Sequence, residues 1–246
     1  RGGSPSAYDR VLATEFGSYA AKLVEIERYG VTVAMVNNRV VANRLEDIAG
    51  KTRNIPEGCE LTAILKERFN IVPNDLDYLI CTHLHWDHSC GNHKFPGKKI
   101  YVQKSELEYA LDPLPIHRGT YESPQYGVES SWYRTRDQLV LVDGDTQLDD
   151  GIRLILLAGH SDGIQGVLVH TEDGEYLLAG DCINLYENWT GNAKLKHIIG
   201  GLHSDVKAYF KTYEKVEALE RDEHITIIPG HDTAVLEHEV YPIPHT

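Results

Sequence analysis

The amino-acid sequence predicts an α/β fold, and three observations support this prediction. Short apolar runs that are typical of buried strands recur along the chain, as at residues 77–82 and 225–228. Apolar residues at helical spacing lie between such runs, as at residues 61–69. Histidines and aspartates follow the ends of several apolar runs, and functional groups of α/β proteins gather at strand ends. The sequence therefore predicts strands that alternate with helices and present polar groups at one rim.

Length and composition favour a single domain over residues 1–246. Of the 246 residues, 41% are hydrophobic and 25% are charged, which is usual for a globular protein with a sizeable core. The chain contains no run of about 18 apolar residues, so no membrane segment is expected. The net charge of -13 disfavours a nucleic-acid partner, because affinity for phosphates comes chiefly from Lys and Arg.

The cysteines indicate a reducing compartment. They are widely spaced, form no Cys-x-x-Cys pair, and occur in a chain too long to need disulfides for its stability. We therefore expect reduced thiols and a cytoplasmic location. The four residues are Cys59, Cys81, Cys90 and Cys182. We expect Cys90 and Cys182 to be small buried residues and not nucleophiles.

The first half of the chain contains a predicted hairpin among helices and strands. Residues 31–42 form two short strand-like runs around an Asn-Asn pair, which indicates a hairpin. Residues 99–103 (KIYVQ) predict a strand, and Ser105 is placed to cap a helix that ends at Leu111. Helices near residues 8–16 and 61–69 and a strand at 77–82 complete this half.

The second half begins with an irregular segment. Residues 112–137 carry several prolines and aromatic residues without a regular pattern, and we interpret them as an inserted loop or lid. An amphipathic helix is predicted to begin at Ser204 or Asp205 and to end at Glu220. Apolar runs predict strands at residues 138–142, 152–157, 167–170, 176–179 and 225–228.

The densest group of chemically active side chains is the His-x-His-x-Asp-His motif that follows residues 77–82. Side chains alternate along a strand, so His83 and His85 are expected to face the same way and to chelate one ion. Asp87 and His88 lie beyond the turn, where they can reach a second ion. Four such groups within six residues are costly unless something neutralises and orders them. The motif therefore predicts a metal site.

Three later positions complete the predicted ligand set. His160 and His231 each follow a glycine after an apolar run, and Asp181 follows Gly180 in the same way. We predict that His160 joins the first ion and His231 the second, with Asp181 as a carboxylate between them. Mixed imidazole and carboxylate ligands suit zinc best, and manganese and iron remain alternatives. The full predicted set is His83, His85, Asp87, His88, His160, Asp181 and His231.

This ordered set resembles the metallo-β-lactamase superfamily over residues 60–235. The resemblance implies an αββα sandwich, in which two mixed β-sheets are flanked by helices and a dinuclear site lies along one edge. The segments THLHWDHSCGN, AGHSDGIQGVLV and KIYVQKSELEYAL are similar to those of N-acyl homoserine lactone lactonases.

Two departures from the lactonase pattern concern possible supporting residues. Lactonases carry an Asp-Thr-Gly turn that supports the metal-bound histidines, whereas residues 40–50 here read VVANRLEDIAG, with Asp47 as the possible substitute. Lactonases also place a substrate-binding Tyr three residues after the bridging Asp. This chain has Asn184 at that position and Tyr186 two residues later. An amide, like a phenol, can donate a hydrogen bond to an oxyanion, so both residues are candidate catalytic groups.

The resemblance implies a hydrolase that uses a metal-bridging hydroxide to open a small lactone or a related ester or amide. Two cations lower the pKa of a bridging water and polarise the substrate carbonyl. Asp87 is expected to orient the nucleophile or to carry a proton. The partner is a small molecule with a lactone, ester or amide carbonyl, and a homodimer is left open.

Three alternative functions remain open on the same scaffold. One is an iron-dependent redox enzyme of the sulfur dioxygenase type, although mononuclear dioxygenases do not need Asp87, His88 and His231 as ligands. Another is a β-lactam or thioester hydrolase. The third is a non-catalytic metal-binding relative, against which the complete ligand set argues.

Overall fold

The computed structural model describes residues 7–36, 39–49, 61–123, 127, 129–237 and 241. The chain divides into two compact units, Arg1–Glu60 and Leu61–Thr246. The Asn-Asn turn of the predicted hairpin and Cys59 lie outside the described residues. That residues 1–246 act as one hydrolase domain stays a prediction.

The first unit contains the predicted hairpin. Strands β1 and β2 pair antiparallel, and Met35 faces Val40, which confirms the two strands. The first helix is longer than the predicted 8–16, because the helix-forming residues 18–25 extend it and Gly17 inside it costs only about 1 kcal/mol relative to Ala. The elements are α1 (Ala7–Glu25), β1 (Val31–Val36), β2 (Arg39–Arg44) and α2 (Leu45–Ile48).

The second unit holds two sheets and their helices. Its strands are β3 (Tyr78–Ile80), β4 (Lys99–Gln103), β5 (Leu139–Val142), β6 (Thr146–Asp149), β7 (Ile152–Leu156), β8 (Gln165–Thr171), β9 (Gly174–Leu178) and β10 (Thr226–Ile228). Its helices are α3 (Leu61–Phe69), α4 (Trp86–Ser89), α5 (Lys104–Leu111), α6 (Tyr186–Thr190) and α7 (Val206–Glu223).

A five-stranded mixed sheet forms one layer of this unit. Its order is β10-β9-β8-β7-β6, with β10 and β9 parallel and the other pairs antiparallel. Helix α7 buries Tyr209, Tyr213 and Val216 in the same core cluster as Leu168 and Leu177 of the sheet. The amphipathic pattern of α7 is therefore satisfied by packing on this sheet.

A three-stranded sheet forms the other layer, in the order β3-β4-β5, and both of its strand pairs are parallel. Ile100 and Val102 of β4 are fully buried and cluster with Ala110 of α5 and with Trp132. The central strand is buried on more than one side, as expected for a parallel strand that is covered by a helix.

Gln165 of β8 connects the two sheets by hydrogen bonds at the start of the His-x-His-x-Asp-His motif. Its side-chain amide donates to the backbone carbonyls of Cys81, at 2.9 Å, and Tyr101, at 3.2 Å. Its own backbone N–H donates to the carbonyl of Thr82, at 2.8 Å. Gln103 of β4 donates to Gln165 Oε1 at 2.9 Å, and both glutamines are buried. This network fixes the start of the motif relative to both layers.

The predicted elements agree with the structure except at several ends. The α/β class is confirmed, but the strand predicted at 77–82 ends at Ile80. Helix α5 begins at Lys104 without a side-chain cap, so Ser105 is not its cap. Asp205 and not Ser204 caps α7, since its carboxylate accepts from the N–H groups of Lys207 and Ala208. The short strand β6 was missed.

Within the described ranges, no helix combines the length and the apolar character that crossing a bilayer requires.

Substitutions of two adjacent leucines on β9 test which face of the larger sheet is buried in the core. Leu177 is fully buried, whereas Leu178 is 42% exposed, because neighbouring side chains of a strand point to opposite faces. We expect Leu177→Ala to lower the free energy of unfolding by about 2–5 kcal/mol, since it opens a cavity in the core. Leu178→Ala, the matched control, should lower it much less. Urea denaturation of both variants measures this, and equal losses would contradict the assignment of the buried face.

Candidate metal centre

The motif lies in a loop that begins where β3 ends. His83 and His85 are therefore not on a strand, and the alternation expected for a strand is not what brings them together. His85 has extended dihedral angles, φ -60° and ψ 151°, and directly precedes helix α4, which carries Asp87 and His88. The turn into α4 leaves donor atoms of His83 within 4.8 Å of those of both His85 and His88.

Three buried imidazoles form the first donor group. His83 Nε2 lies 2.9 Å from His85 Nδ1, and His160 Nε2 lies 3.1 Å from the same His85 atom. None of the three residues is more than 4% exposed. These three nitrogen atoms lie within 4.8 Å of one another, as ligands of one ion must.

The outer nitrogens of two of these rings are held by neighbouring groups. His160 Nδ1 lies 3.0 Å from the carbonyl oxygen of Leu202, and His83 Nδ1 lies 3.1 Å from Thr82 Oγ1. A carbonyl oxygen can only accept, so His160 donates from Nδ1 and its Nε2 lone pair faces the group. Hydrogen bonds of this kind fix the tautomer and orientation of metal-binding histidines.

A second donor group surrounds His88 and His231, whose Nε2 atoms are 3.3 Å apart. Asp181 Oδ1 lies 3.0 Å from His88 Nε2 and 3.1 Å from His231 Nε2. The other oxygen of Asp181 lies 3.5 Å from His160 Nε2 in the first group. Asp87 Oδ2 lies 3.6 Å from His88 and 3.8 Å from His231. Asp181 therefore stands between the two groups.

Burial and neighbouring charges shift the pKa values of five of these residues. Burial lowers the pKa of His83, His85 and His160, so each ring is neutral at neutral pH and keeps one nitrogen with a free lone pair. Burial opposes the charged form of Asp181, but the imidazoles of His88 and the other histidines more than offset it and hold the pKa of Asp181 below its usual range. Burial opposes the charged form of His88, yet the neighbouring Asp181 carboxylate outweighs this effect and raises the pKa of His88.

The donors fit zinc or a similar divalent ion. Tetrahedral zinc with bonds of about 2.0–2.1 Å to nitrogen separates its ligands by about 3.3–3.4 Å, close to the spacings within both groups. Asp181 Oδ1 is buried and no aligned donor satisfies it, although imidazole nitrogens surround it. A cation between these acceptors would satisfy the carboxylate and the facing lone pairs together.

Gly159 allows the loop that carries His160 to lie against helix α7. Its φ is +141°, and a Cβ atom at this position would lie 2.5 Å from the backbone Cα of Tyr209. The N–H of Ser204, just before α7, donates to the Gly159 carbonyl at 2.8 Å. The Gly-His pattern in the sequence thus reflects a backbone approach that only glycine permits.

Sequence reasoning missed Glu106, a fully buried carboxylate on α5. Its side chain accepts hydrogen bonds from the two loops that carry His83, His85 and His160. Burial raises the pKa of Glu106, and the donated hydrogen bonds oppose that rise. Glu106 lies one turn before the buried Ala110 on the same helix face, so a charged residue on an apolar face was the available signal.

The candidate catalytic residues lie next to the second group. The N–H of His231 donates to the carbonyl of Asn184 at 2.9 Å, and Asn184 Oδ1 is buried without a partner. The N–H of Tyr186 donates to Asp232 at 2.8 Å, and its side chain hydrogen-bonds with Tyr241. The catalytic roles of Asp87, Asn184 and Tyr186 stay predictions.

Four other histidines of the described residues hydrogen-bond to groups outside the metal centre. None of His93, His117, His197 and His203 belongs to a metal-donor group in the described part of the chain. For example, His117 Nδ1 lies 2.6 Å from the hydroxyl of Tyr109. Asp47, proposed in place of the missing turn, is exposed on α2, and its supporting role stays a prediction.

The described cysteines are free thiols, but their exposure differs from the prediction for one of them. Cys81 and Cys182 are buried, and burial raises the pKa of both thiols, which makes them poor nucleophiles. Cys90 is exposed, so the expectation that it is buried is wrong. It follows helix α4 at the end of the motif loop, where its side chain faces solvent.

Comparison with known proteins agrees with the fold and the donor set. A sequence model of the metallo-beta-lactamase superfamily matches residues 58–231. An N-acyl homoserine lactonase of Bacillus thuringiensis is 28% identical over 204 residues, which span 82% of this chain and 74% of the lactonase. The N-acyl homoserine lactonase AttM of Rhizobium radiobacter is 29% identical over 165 residues, which span 65% of this chain and 59% of AttM.

Two solved structures extend the comparison to the fold. A quorum-quenching N-acyl homoserine lactone hydrolase superposes with a TM-score of 0.62 at 25% identity, covering 86% of this chain and 78% of its own. An N-acyl homoserine lactone hydrolase with the product N-hexanoyl-L-homoserine at its catalytic metal centre gives a TM-score of 0.61 at 25% identity, covering 83% of this chain and 71% of its own.

The chain belongs to the metallo-beta-lactamase superfamily. Its expected fold class and its nature as a metal-dependent hydrolase are thereby confirmed. The described residues bring together donors for two ions, as the expected dinuclear centre requires.

Gly159 and Gly174 both have positive φ, so comparing their alanine variants distinguishes the cost of a steric clash from the cost of backbone strain. In Gly159→Ala the new methyl group would meet the backbone of Tyr209, whereas at Gly174, with φ +135°, no atom lies within 4 Å. We expect Gly159→Ala to destabilise the protein by about 1–3 kcal/mol more than Gly174→Ala, and to weaken metal binding through His160. Thermal unfolding and chelator competition measure the two effects. Equal behaviour of both variants would contradict the close approach described for Gly159.

Proposed function

We propose that this protein is a dinuclear metal-dependent lactonase that opens N-acyl homoserine lactones or closely similar cyclic esters. The observation that carries the proposal is the pair of donor groups joined by Asp181, whose two oxygens lie within 3.5 Å of imidazoles from both groups. The lactonases similar in sequence support the substrate class.

The proposed ligands divide between two ions. His83, His85 and His160 would hold one ion, Asp87, His88 and His231 the other, and Asp181 would contact both. Zinc is proposed because neutral imidazoles and carboxylates are its usual ligands. When bound, two such ions would activate water near neutral pH and polarise the substrate carbonyl.

The protein's own groups would place the lactone and move a proton. Attack by water on the lactone carbonyl forms a C–O bond, the ring C–O bond breaks, and the leaving alkoxide takes up a proton to give a hydroxy acid. The Asp87 carboxylate is 37% exposed beside His88, so it is placed to accept the proton of the attacking water and to return it to the leaving oxygen.

Asn184 and Tyr186 are the proposed contacts to the substrate carbonyl. Both lie within five residues of Asp181 in sequence, and their backbones are hydrogen-bonded to the segment that carries His231. The side-chain amide of Asn184 would donate to the developing oxyanion, a role open also to the phenol of Tyr186. Trp86, which is 51% exposed within the motif, offers an apolar surface for the substrate.

The net charge and the free thiols support the proposed binding partner and cellular location. The net charge of -13 supports a small-molecule substrate and no nucleic-acid partner. The free thiols of Cys81, Cys90 and Cys182 support a reducing compartment such as the cytoplasm. A homodimer stays a prediction that light scattering can test.

Metal analysis tests the dinuclear centre. We expect two ions per chain in the zinc-reconstituted protein and one ion fewer in His85→Ala, since His85 belongs to the first donor group alone. The matched control is His170→Ala, which removes an exposed histidine that pairs with Glu175. It should keep both ions and full activity. Fewer than two ions per chain in the unaltered protein, or full hydrolysis by His85→Ala, would refute the dinuclear hydrolase.

A substrate panel tests the lactone assignment. We expect hydrolysis of N-acyl homoserine lactones to exceed that of a β-lactam, a thioester and a linear ester in kcat/KM, with loss of activity after chelation and recovery on adding zinc. Reaction rates followed by proton release provide the measurement. Preferential hydrolysis of the β-lactam or thioester would reassign the substrate, and bound iron with oxygen consumption would favour the redox alternative.

Paired variants test the substrate contacts. We expect Asn184→Ala to lower kcat by about 10²–10³-fold if its amide is the oxyanion donor, because such donors act mainly in the transition state. Tyr186→Phe removes only the phenol hydroxyl and should lower kcat less. Metal content must remain at two ions in both variants for the comparison to hold. Unchanged kcat in both would remove these residues from the proposed mechanism.

A further inference from the structure

The carboxylate of Glu106 accepts four hydrogen bonds in the interior of the second unit. Oε1 accepts from the backbone N–H of Leu84 and from the hydroxyl of Tyr121, each at 2.9 Å. Oε2 accepts from Ser161 Oγ at 2.6 Å and from the N–H of Gly163 at 3.2 Å. All the acceptor positions that a carboxylate offers are therefore used.

The four donors flank the three-histidine group. Leu84 stands between His83 and His85, and Ser161 directly follows His160. The ring of Tyr121 meets that of His85 edge to face, with centroids 4.6 Å apart. One side chain on α5 thus holds both ligand-bearing loops, which are distant in sequence.

The backbone of Gly163 packs closely against the backbone of Glu106. A Cβ atom at Gly163 would lie 2.1 Å from the backbone nitrogen of Glu106, so only glycine lets its N–H approach. Burying a carboxylate costs free energy that an apolar side chain would not, and well-packed apolar replacements of buried charges are often no less stable. Stability alone therefore does not account for a charged residue at this position.

We propose that Glu106 is a positioning residue that preorganises His83, His85 and His160 for their metal ion. This inference rests on the metal centre of the proposed function. Glu106 belongs to no donor group in the described residues, and it acts on the ligands only through Leu84, Tyr121, Ser161 and Gly163.

Replacement by glutamine is a sharp test because each carboxylate oxygen receives one backbone N–H. Leu84 donates to one oxygen and Gly163 to the other, and neither N–H can reverse its role. Whichever way the amide of Glu106→Gln is oriented, its NH2 group faces a backbone donor. The substitution keeps the shape of the side chain and breaks at least one link to a ligand loop.

The control lies on the same helix. Glu108 is exposed on α5 and pairs with Lys104, so Glu108→Gln makes the same chemical change without touching either ligand loop. We expect Glu106→Gln to bind Co²⁺ at the three-histidine group about 10–100-fold more weakly, and Glu108→Gln to bind it as the unaltered protein does. Chelator competition gives the affinity, and the visible absorption of bound Co²⁺ reports ligand geometry.

Two milder variants keep the test decisive if Glu106→Gln does not fold. Tyr121→Phe removes one donor while keeping the ring against His85, and Ser161→Ala removes one donor beside His160. Each should weaken Co²⁺ binding and alter its absorption in a folded protein, since Glu106 keeps three of its four donors. We expect these variants to lower kcat more than they change KM, since the substrate does not touch Glu106.

The Co²⁺ measurements distinguish failure of the dinuclear centre from failure of the positioning role of Glu106. If the unaltered protein binds fewer than two Co²⁺ ions, the dinuclear centre itself fails. If it binds two ions and Glu106→Gln, Tyr121→Phe and Ser161→Ala match its affinity and absorption, the positioning role of Glu106 is wrong.

Discussion

The metal centre of the second unit depends on imidazole nitrogens and carboxylate oxygens that lie within hydrogen-bond distance of one another. Nitrogens of His83, His85 and His160 face one another at about hydrogen-bond distance, and Asp181 has a buried oxygen without an aligned donor. Such an arrangement is costly in a protein interior unless cations occupy it. The metal-binding free energy would therefore contribute directly to the order of these loops.

The two sheets supply rigid supports for groups that are remote in sequence. Gln165 links both layers to the start of the motif loop. Tyr209 of α7 packs against Gly159, and its hydroxyl lies 2.8 Å from the carbonyl oxygen of Cys182 and 3.0 Å from that of Asp181. Small shifts in a metal site change its affinity, so buried hydrogen bonds of this kind matter for function as well as for stability.

Glu106 supports the metal ligands in a similar way, although it belongs to no donor group itself. Its carboxylate connects the loops of His85 and His160, two residues that are 75 positions apart in sequence. The pattern KIYVQKSELEYAL contributed to the family resemblance as a strand followed by a helix. The structure shows that one residue within it, Glu106, accepts hydrogen bonds from both loops that carry the first donor group.

The sequence by itself determined the α/β class and predicted a candidate ligand set, because histidines and aspartates after apolar runs at such spacing have few explanations other than a metal site. It could not determine which groups support the ligands, since hydrogen bonds between Glu106 and Ser161 join residues 55 positions apart. Nor could it place the end of β3 at Ile80, because strand length depends on pairing with β4 and not on the apolar run. Only the tertiary structure decides these features, since they arise from contacts between elements and not from local residue preferences.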